Sequence, residues 1–333
     1  MTVAPHRKEL YDVAVLGSGT AGGTLGAVPG RNGVNVLLLD AGTHPRSAVG
    51  ESTIPYTSGM THRGPRDGGR RGRTGALRVI PFIRPRPLQD PAVRLVVCPH
   101  AGGSGSAYFP LARLLPDDWD VLLLDLPGRG KRHSAEPLRD MTAVAALAAG
   151  DIAPWAGPSL ALFGHSMGAV VAVEAARLLQ DRGLPPTWVG VSGRLAPPDV
   201  PPSPELDPAL PDDELMAGLA AMGGIPDRFD EVPEFRRRFL RVVRADLEAL
   251  GRHRPDPARS PLAAPLTAFG AAGDDLSSSE RLGTWAAETA RTFRRHTFEG
   301  GHFHFLQDGF AALARVLTAE VRHALWLRQS AVA

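Results

Sequence analysis

Short apolar runs separated by helix-length spacers dominate residues 91–330. The runs fall at 94–98, 120–125, 159–163, 187–192, 266–270 and 294–298, each five or six residues long. Parallel strands covered on both faces read this way, because no polar face alternates with the apolar one. The spacer at 169–181 has helical periodicity and stops before Gly183. Strands alternating with helices predict an α/β fold with a mostly parallel sheet. The alternation breaks at 197–260. That stretch starts Pro-rich, then carries helical periodicity over 212–222 and 233–250. Helices inserted between two strands predict a lid over a site.

Residues 1–90 divide differently. A strand at 12–16 leads into Gly17-Ser18-Gly19-Thr20-Ala21-Gly22, and a second at 34–39 ends on Asp40. This is dinucleotide-binding chemistry. Gly17 allows the tight turn, Gly19 lets the backbone approach a pyrophosphate, Gly22 permits close packing, and Asp40 can accept from a ribose hydroxyl. Pro29 falls where the intervening helix should still run, and proline removes a helix hydrogen bond. Residues 58–90 are rich in Gly, Pro and Arg with little periodicity, which predicts a flexible linker.

Composition adds limits. Of the 333 residues, 43% are hydrophobic and 22% charged, ordinary for a soluble globular chain. No apolar stretch approaches the ~20 residues of a membrane helix. Glu9 and Asp12 interrupt the run behind Arg7 and Lys8, so no secretory signal is expected. Cys98 stands alone, which excludes an internal disulfide and argues against a thiolate metal site. The expected location is the cytoplasm. The net charge of +2 hides an asymmetry: residues 1–87 hold 12 Lys and Arg against 5 Asp and Glu (net +7), and residues 88–333 hold 25 against 30 (net −5). The positive stretch 63–73 has no interleaved aromatics, so it reads as a solvated linker and no nucleic-acid partner is expected.

The chemistry concentrates in Gly164-His165-Ser166-Met167-Gly168. A G-x-S-x-G match gains weight from its context, an apolar strand running in and a helix running out. That is the nucleophile elbow, whose glycines permit a crowded turn that lifts the serine oxygen clear of the backbone. A serine hydroxyl needs a base to take its proton. The partners should follow in the order serine, acid, histidine. His302, on the Gly300-Gly301 loop after the last strand, is the expected base, with His304 its main competitor and His296 inside the strand. The acid should lie beyond 266–270, where Asp274 and Asp275 both stand. The loop Pro99-His100-Ala101-Gly102-Gly103-Ser104 sits where a second oxyanion donor belongs. The backbone N–H groups of Ala101 and Met167 would hold the oxyanion, each contributing about 3 kcal/mol.

Two resemblances follow from these residues. Residues 10–57, including Val49-Gly50-Glu51-Ser52-Thr53-Ile54-Pro55, resemble the start of flavin-dependent halogenases. The resemblance stops there, so residues 1–57 are expected to be a truncated Rossmann-like fragment with a vestigial motif and no bound cofactor. Residues 91–330 resemble the type II, or editing, thioesterases of polyketide and non-ribosomal peptide assembly lines. The marks are Cys98-Pro99-His100-Ala101-Gly102-Gly103-Ser104, Asp125-Leu126-Pro127-Gly128-Arg129-Gly130, the elbow, the segment 269–275 and Gly300-Gly301-His302-Phe303. The resemblance implies an α/β-hydrolase fold with a lid at about 197–260. It also implies a Ser166, Asp274 and His302 triad without metal or organic cofactor. Asp275 stays open, because the proline common after the acid is missing here. The implied substrate is an acyl thioester on the phosphopantetheine arm of an acyl or peptidyl carrier protein, and the implied state is a monomer. Met216, Met222 and Phe239 could shape an acyl pocket, although on amphipathic helices such residues are more often simple core, and Arg236-Arg237-Arg238 read as a solvated helix face more than a docking site. The same triad would serve a carboxylesterase acting on free small molecules. A flavin-binding or carrier-docking module with incidental hydrolysis is a further alternative.

Overall fold

The computed structural model describes residues 80–197, 203–225, 233–278, 280–306 and 309–330, and the strands β1 (Val13–Leu16) and β2 (Val36–Leu39). Those two strands pair in parallel, Val13 opposite Val36 through Leu16 opposite Leu39. Gly17, Gly19, Gly22 and Asp40, the glycine-rich motif between and after them, lie outside the described residues.

Seven strands form the main sheet: β3 (Phe82–Ile83), β4 (Val93–Cys98), β5 (Trp119–Leu124), β6 (Leu160–His165), β7 (Trp188–Ser192), β8 (Leu266–Ala271) and β9 (Phe293–Phe298). Their order is β3-β5-β4-β6-β7-β8-β9. All neighbours are parallel except β3, which runs antiparallel to β5. The six strands expected from sequence are present with ends moved by one or two residues. The seventh, β3, falls in the stretch whose composition reads as linker. Phe82 is nevertheless 1% exposed, Asp125 N–H donates to Pro81 O at 2.8 Å, and Arg84 pairs with the buried Asp120 at 2.6 Å. A two-residue strand carries too little periodicity to read from sequence.

The helices are α1 (Phe109–Leu114), α2 (Met141–Ile152), α3 (Met167–Asp181), α4 (Asp212–Ala221), α5 (Pro233–Arg252) and α6 (Gly309–Ser330). They cover both faces of the sheet. Val96, Cys98, Leu122, Leu124, Leu160 and Leu162 pack with α2 and α3. The intervening residues Leu95, Val97, Val121, Leu123, Ala161 and Phe163 pack with α1 and α6. The period-2 alternation of strand side chains divides the apolar runs between two cores. The edge strand β9 is the exception, with Arg294 and Arg295 exposed, which blunts edge-to-edge pairing.

Helices α4 and α5 lie between β7 and β8, where the lid is expected. They carry a small core of their own, Leu215, Met216, Leu219, Leu240 and Val243. Met216 belongs to this core, whereas Met222 and Phe239 face the cavity beneath. Arg237 and Arg238 are exposed on α5 and both pair with Glu234, whereas Arg236 is half-buried and pairs with Asp213. Among the described residues, no helix is long and apolar enough to cross a membrane.

The tightest point of the fold is where β6 passes into α3. A Cβ on Gly164 would stand 1.9 Å from Gly168 O, and one on Gly168 would stand 2.1 Å from Cys98 O. We expect Gly168→Ala to cost roughly 1–3 kcal/mol through overpacking. The loss is measured as a lower urea midpoint with an unchanged slope.

Candidate active site

Ser166 occupies the turn between β6 and α3 with φ 54° and ψ −117°, the only non-glycine residue with positive φ among the described residues. Such a conformation costs on the order of 1–3 kcal/mol and persists only where the surroundings enforce it. The enforcement is visible. Ser166 N–H donates to Ser192 O at 2.7 Å, and the missing side chains of Gly164 and Gly168 let the turn press against Cys98 at the end of β4. Burial pushes the Cys98 thiol up to about 12, so this neighbouring sulfur is no competing nucleophile.

His302 and Asp274 sit on the loops after β9 and β8. His302 Nδ1 lies 3.0 Å from Asp274 Oδ2 and 3.2 Å from Oδ1. The histidine is 5% exposed and the aspartate 3%. Burial pushes the Asp274 carboxyl up, but His302, Ser277 Oγ at 2.6 Å and the Leu276 N–H at 3.0 Å outweigh it, and its pKa lies below the usual 3.8. An ionised carboxylate only accepts, so His302 carries its proton on Nδ1 and keeps the Nε2 lone pair free. The competitors go elsewhere. Asp275 is exposed on the same loop. His304 stacks on Phe298 with centroids 4.9 Å apart, and burial lowers its pKa to about 4. His296 bonds Glu320 at 2.8 Å.

Ala101 stands in the loop after β4, and Met167 is the first residue of α3, where backbone N–H groups lack helical partners. The loop is held from two sides. Gly105 N–H donates to Asp125 Oδ1 at 2.9 Å. Gly102 N–H donates to Asp246 Oδ2 at 2.8 Å, and Arg129 clasps both oxygens of Asp246 at 2.6 Å. Both partners are buried. Arg129 belongs to the Asp125–Gly130 motif, and Asp246 comes from lid helix α5, so one ion pair ties the lid to the loop that carries Ala101. Sequence reasoning passed over Asp246. Its signal was a carboxylate on the apolar stripe of an amphipathic helix, beside Leu240, Val243 and Leu247.

Ser166, His302 and Ala101 share one cavity of about 790 Å³. Leu219, Met222 and Phe239 of the lid region supply apolar wall, and Phe303 and Leu306 close the opposite side. Under the floor, His165 bonds Ser192 Oγ at 3.1 Å and His100 bonds Tyr108 Oη at 2.9 Å. Burial and the neighbouring histidines hold His165 well below the usual value and His100 at about 3, so both rings are neutral at pH 7.

A central parallel sheet with a serine elbow, a histidine–aspartate pair on the two following loops and a helical lid defines an α/β-hydrolase. The thioesterase domain family matches residues 93–321, and the chain belongs to that family. The thioesterase PikA5 of Streptomyces venezuelae is 34% identical over 222 residues, covering 66% of this chain and 77% of PikA5. The structure of the type II thioesterase BorB from the borrelidin biosynthetic cluster superposes with a TM-score of 0.66 at 30% identity, covering 73% of this chain and 98% of BorB. The phenyloxazoline synthase MbtB of Mycobacterium tuberculosis is 35% identical over 245 residues. That match spans 73% of this chain and 17% of the synthase.

Two outcomes are expected from this geometry. Asp246→Ala strands the Arg129 guanidinium and the Gly102 N–H in a dry site, so it should cost about 3–5 kcal/mol in urea unfolding. Asp246→Asn keeps an acceptor for Gly102 and should cost less. The second concerns acid. Below the ordinary histidine value of 6.5, unfolded chains take up protons that folded His100 and His165 refuse. Stability therefore falls as pH drops from 6.5 towards about 3, where folded His100 itself titrates, at up to about 1.4 kcal/mol per pH unit for each ring. In urea titrations at pH 7, 6 and 5, His100→Asn should show a shallower decline than wild type.

Proposed function

We propose that this chain hydrolyses acyl thioesters held on the phosphopantetheine arm of acyl or peptidyl carrier proteins, as an editing enzyme of polyketide or non-ribosomal peptide assembly. One observation carries the reading: Ser166, in a strained elbow, opens on the same apolar, lid-covered cavity as His302, whose Nδ1 is bound by the buried Asp274. His302 Nε2 takes the serine proton as Oγ attacks the thioester carbonyl. Asp274 fixes the tautomer and stabilises the imidazolium that forms. The oxyanion is received by the N–H groups of Ala101 and Met167, a role supported by their positions on the loop after β4 and at the start of α3. The pantetheine thiol leaves with the proton from His302. Water, deprotonated by the same ring, then releases the acid from Ser166.

The family match and the type II thioesterase neighbour support the carrier-bound substrate over a free ester. The enzyme acts as a cytoplasmic monomer on this reading. Residues 1–57 are a truncated fragment of flavin-halogenase type that binds no flavin.

The test is acyl release from an acyl-loaded carrier protein, with the same acyl group on a simple ester as control. Wild type should clear the carrier much faster than the ester. Ser166→Ala should lose on the order of 10⁴-fold or more, Asp274→Asn roughly 10⁴-fold, and Asp275→Asn less than about twofold. Ester cleavage without carrier clearance would sink the carrier reading and leave a free-substrate esterase.

A further inference from the structure

Among the described residues the buried and half-buried arginines pair with carboxylates, with one exception, the half-buried Arg194. Arg129 holds Asp246, Arg132 holds Asp151 at 2.6 Å, and Arg177 holds Glu288. Arg194 lines the cavity that contains Ser166 and His302, and among the described residues no carboxylate pairs with it. Its Nε is buried without a hydrogen-bond partner. Burial alone lowers the guanidinium to about 10, so the group stays cationic at neutral pH in a poorly solvated place. A partly desolvated charge without a counter-ion is costly to keep, and sites that keep one are candidates for recognition of an opposite charge.

The main chain around Arg194 is pinned, so its placement is built in. Arg194 lies two residues beyond β7. Gly193 N–H donates to Phe269 O at 3.1 Å, Trp285 Nε1–H donates to Arg194 O at 2.7 Å, and Ala196 N–H donates to Thr284 Oγ1 at 3.2 Å. Ser192, at the end of β7, accepts the N–H of Ser166 itself. Arg194 is therefore fixed beside the turn that presents the nucleophile, on the wall of the cavity.

We propose that Arg194 is a substrate-binding residue that receives the free carboxylate of a dicarboxylic acyl group, such as a malonyl-type half-thioester, while Ser166 attacks the thioester carbonyl. A planar guanidinium suits a carboxylate through two parallel hydrogen bonds, and the anion supplies the charge that the protein withholds. The pantetheine phosphate is the other anion of such a substrate. It lies at the opposite end of the arm from the thioester, whereas Arg194 stands two residues beyond Ser192, whose carbonyl holds the Ser166 N–H, so the acyl end is assigned. This inference rests on the proposed thioesterase reading and names the acyl class it would favour.

The test compares malonyl thioesters with butanoyl thioesters and with the malonyl monomethyl ester, in which the charge is removed. Each group is presented on a carrier protein and on N-acetylcysteamine, which has no phosphate. Wild type, Arg194→Met and Arg194→Lys are measured. For malonyl, Arg194→Met should lower kcat/KM by roughly 30-fold or more, mainly through KM, with partial recovery in Arg194→Lys. Butanoyl and the methyl ester should change less than about threefold, and the pattern should persist on N-acetylcysteamine. The melting temperature of Arg194→Met should equal or exceed that of wild type, because an uncompensated charge has been removed. Equal losses for charged and neutral acyl groups would overturn the proposal. So would an effect confined to carrier-bound substrates, which would assign the phosphate, or a melting temperature several degrees lower. Failure on every carrier with selective cleavage of the small malonyl thioester would sink the carrier reading and leave Arg194 as assigned. Cleavage of no thioester at all would overturn both.

Discussion

The backbone contact between Gly168 and Cys98 O, at the junction of β6, α3 and the end of β4, is the constraint on which the site depends. No side chain fits at Gly164 or Gly168, so the chain can reverse within one residue and force Ser166 to positive φ. Three consequences follow from that contact. The serine oxygen stands clear of the sheet. Helix α3 begins at the next residue, which leaves the Met167 N–H unclaimed by the helix. The end of β4 is drawn against the turn, which brings the Ala101 loop to the cavity that Ser166 also lines. A parallel sheet puts the ends of all these strands on one edge, so the loops bearing Asp274 and His302 arrive at the same place.

Electrostatics decide which groups at that edge can take part. Burial alone would raise the Asp274 carboxyl above its usual range. Three hydrogen bonds reverse that, and the carboxylate is then able to orient His302. The surrounding histidines experience the same burial without a carboxylate, and they stay neutral. The rings of His100 and His165 therefore pack as uncharged groups around His302. Phe303 and Phe305 fill the gaps between those rings, with centroids 5.3 and 4.6 Å from His165.

The lid is coupled to the body by charge as well as by apolar contact, since Ala249 and Leu250 of α5 join the core under the sheet. Its own core lies between α4 and α5. Its strongest buried attachment is Asp246 to Arg129 and to the Gly102 N–H. A salt bridge of this kind contributes little net stability against a hydrophobic alternative, but it demands one geometry. That geometry places the Ala101 loop and the α5 wall of the cavity together. Among the described residues Arg194 has no counterpart of Asp246, and the cavity wall there keeps a cation without a carboxylate partner.

The sequence by itself determined the sheet, the elbow and the set of candidates. Strand runs buried on both faces, a 3.6-residue period and a glycine-flanked serine are local patterns, and they survive in the folded chain because packing agrees with them. Tertiary structure decided the rest, for reasons no local pattern contains. Asp274 and Asp275 are adjacent and chemically identical, and only the direction of one loop buries the first against His302 and turns the second to water. His302 and His304 differ by one turn of the same loop, and Phe298 stacks on the second. Met216, Met222 and Phe239 could each be core or pocket from sequence; Met216 is lid core and the other two line the cavity, because which side of α4 faces α5 depends on their docking. The two-residue β3 exists only because β5 offers it an edge. The pairing of Asp246 with Arg129 joins residues 117 positions apart, and the solitude of Arg194 is a property of everything around it. Long-range pairing and its absence are set by which groups share a desolvated space, and that space is a product of the fold.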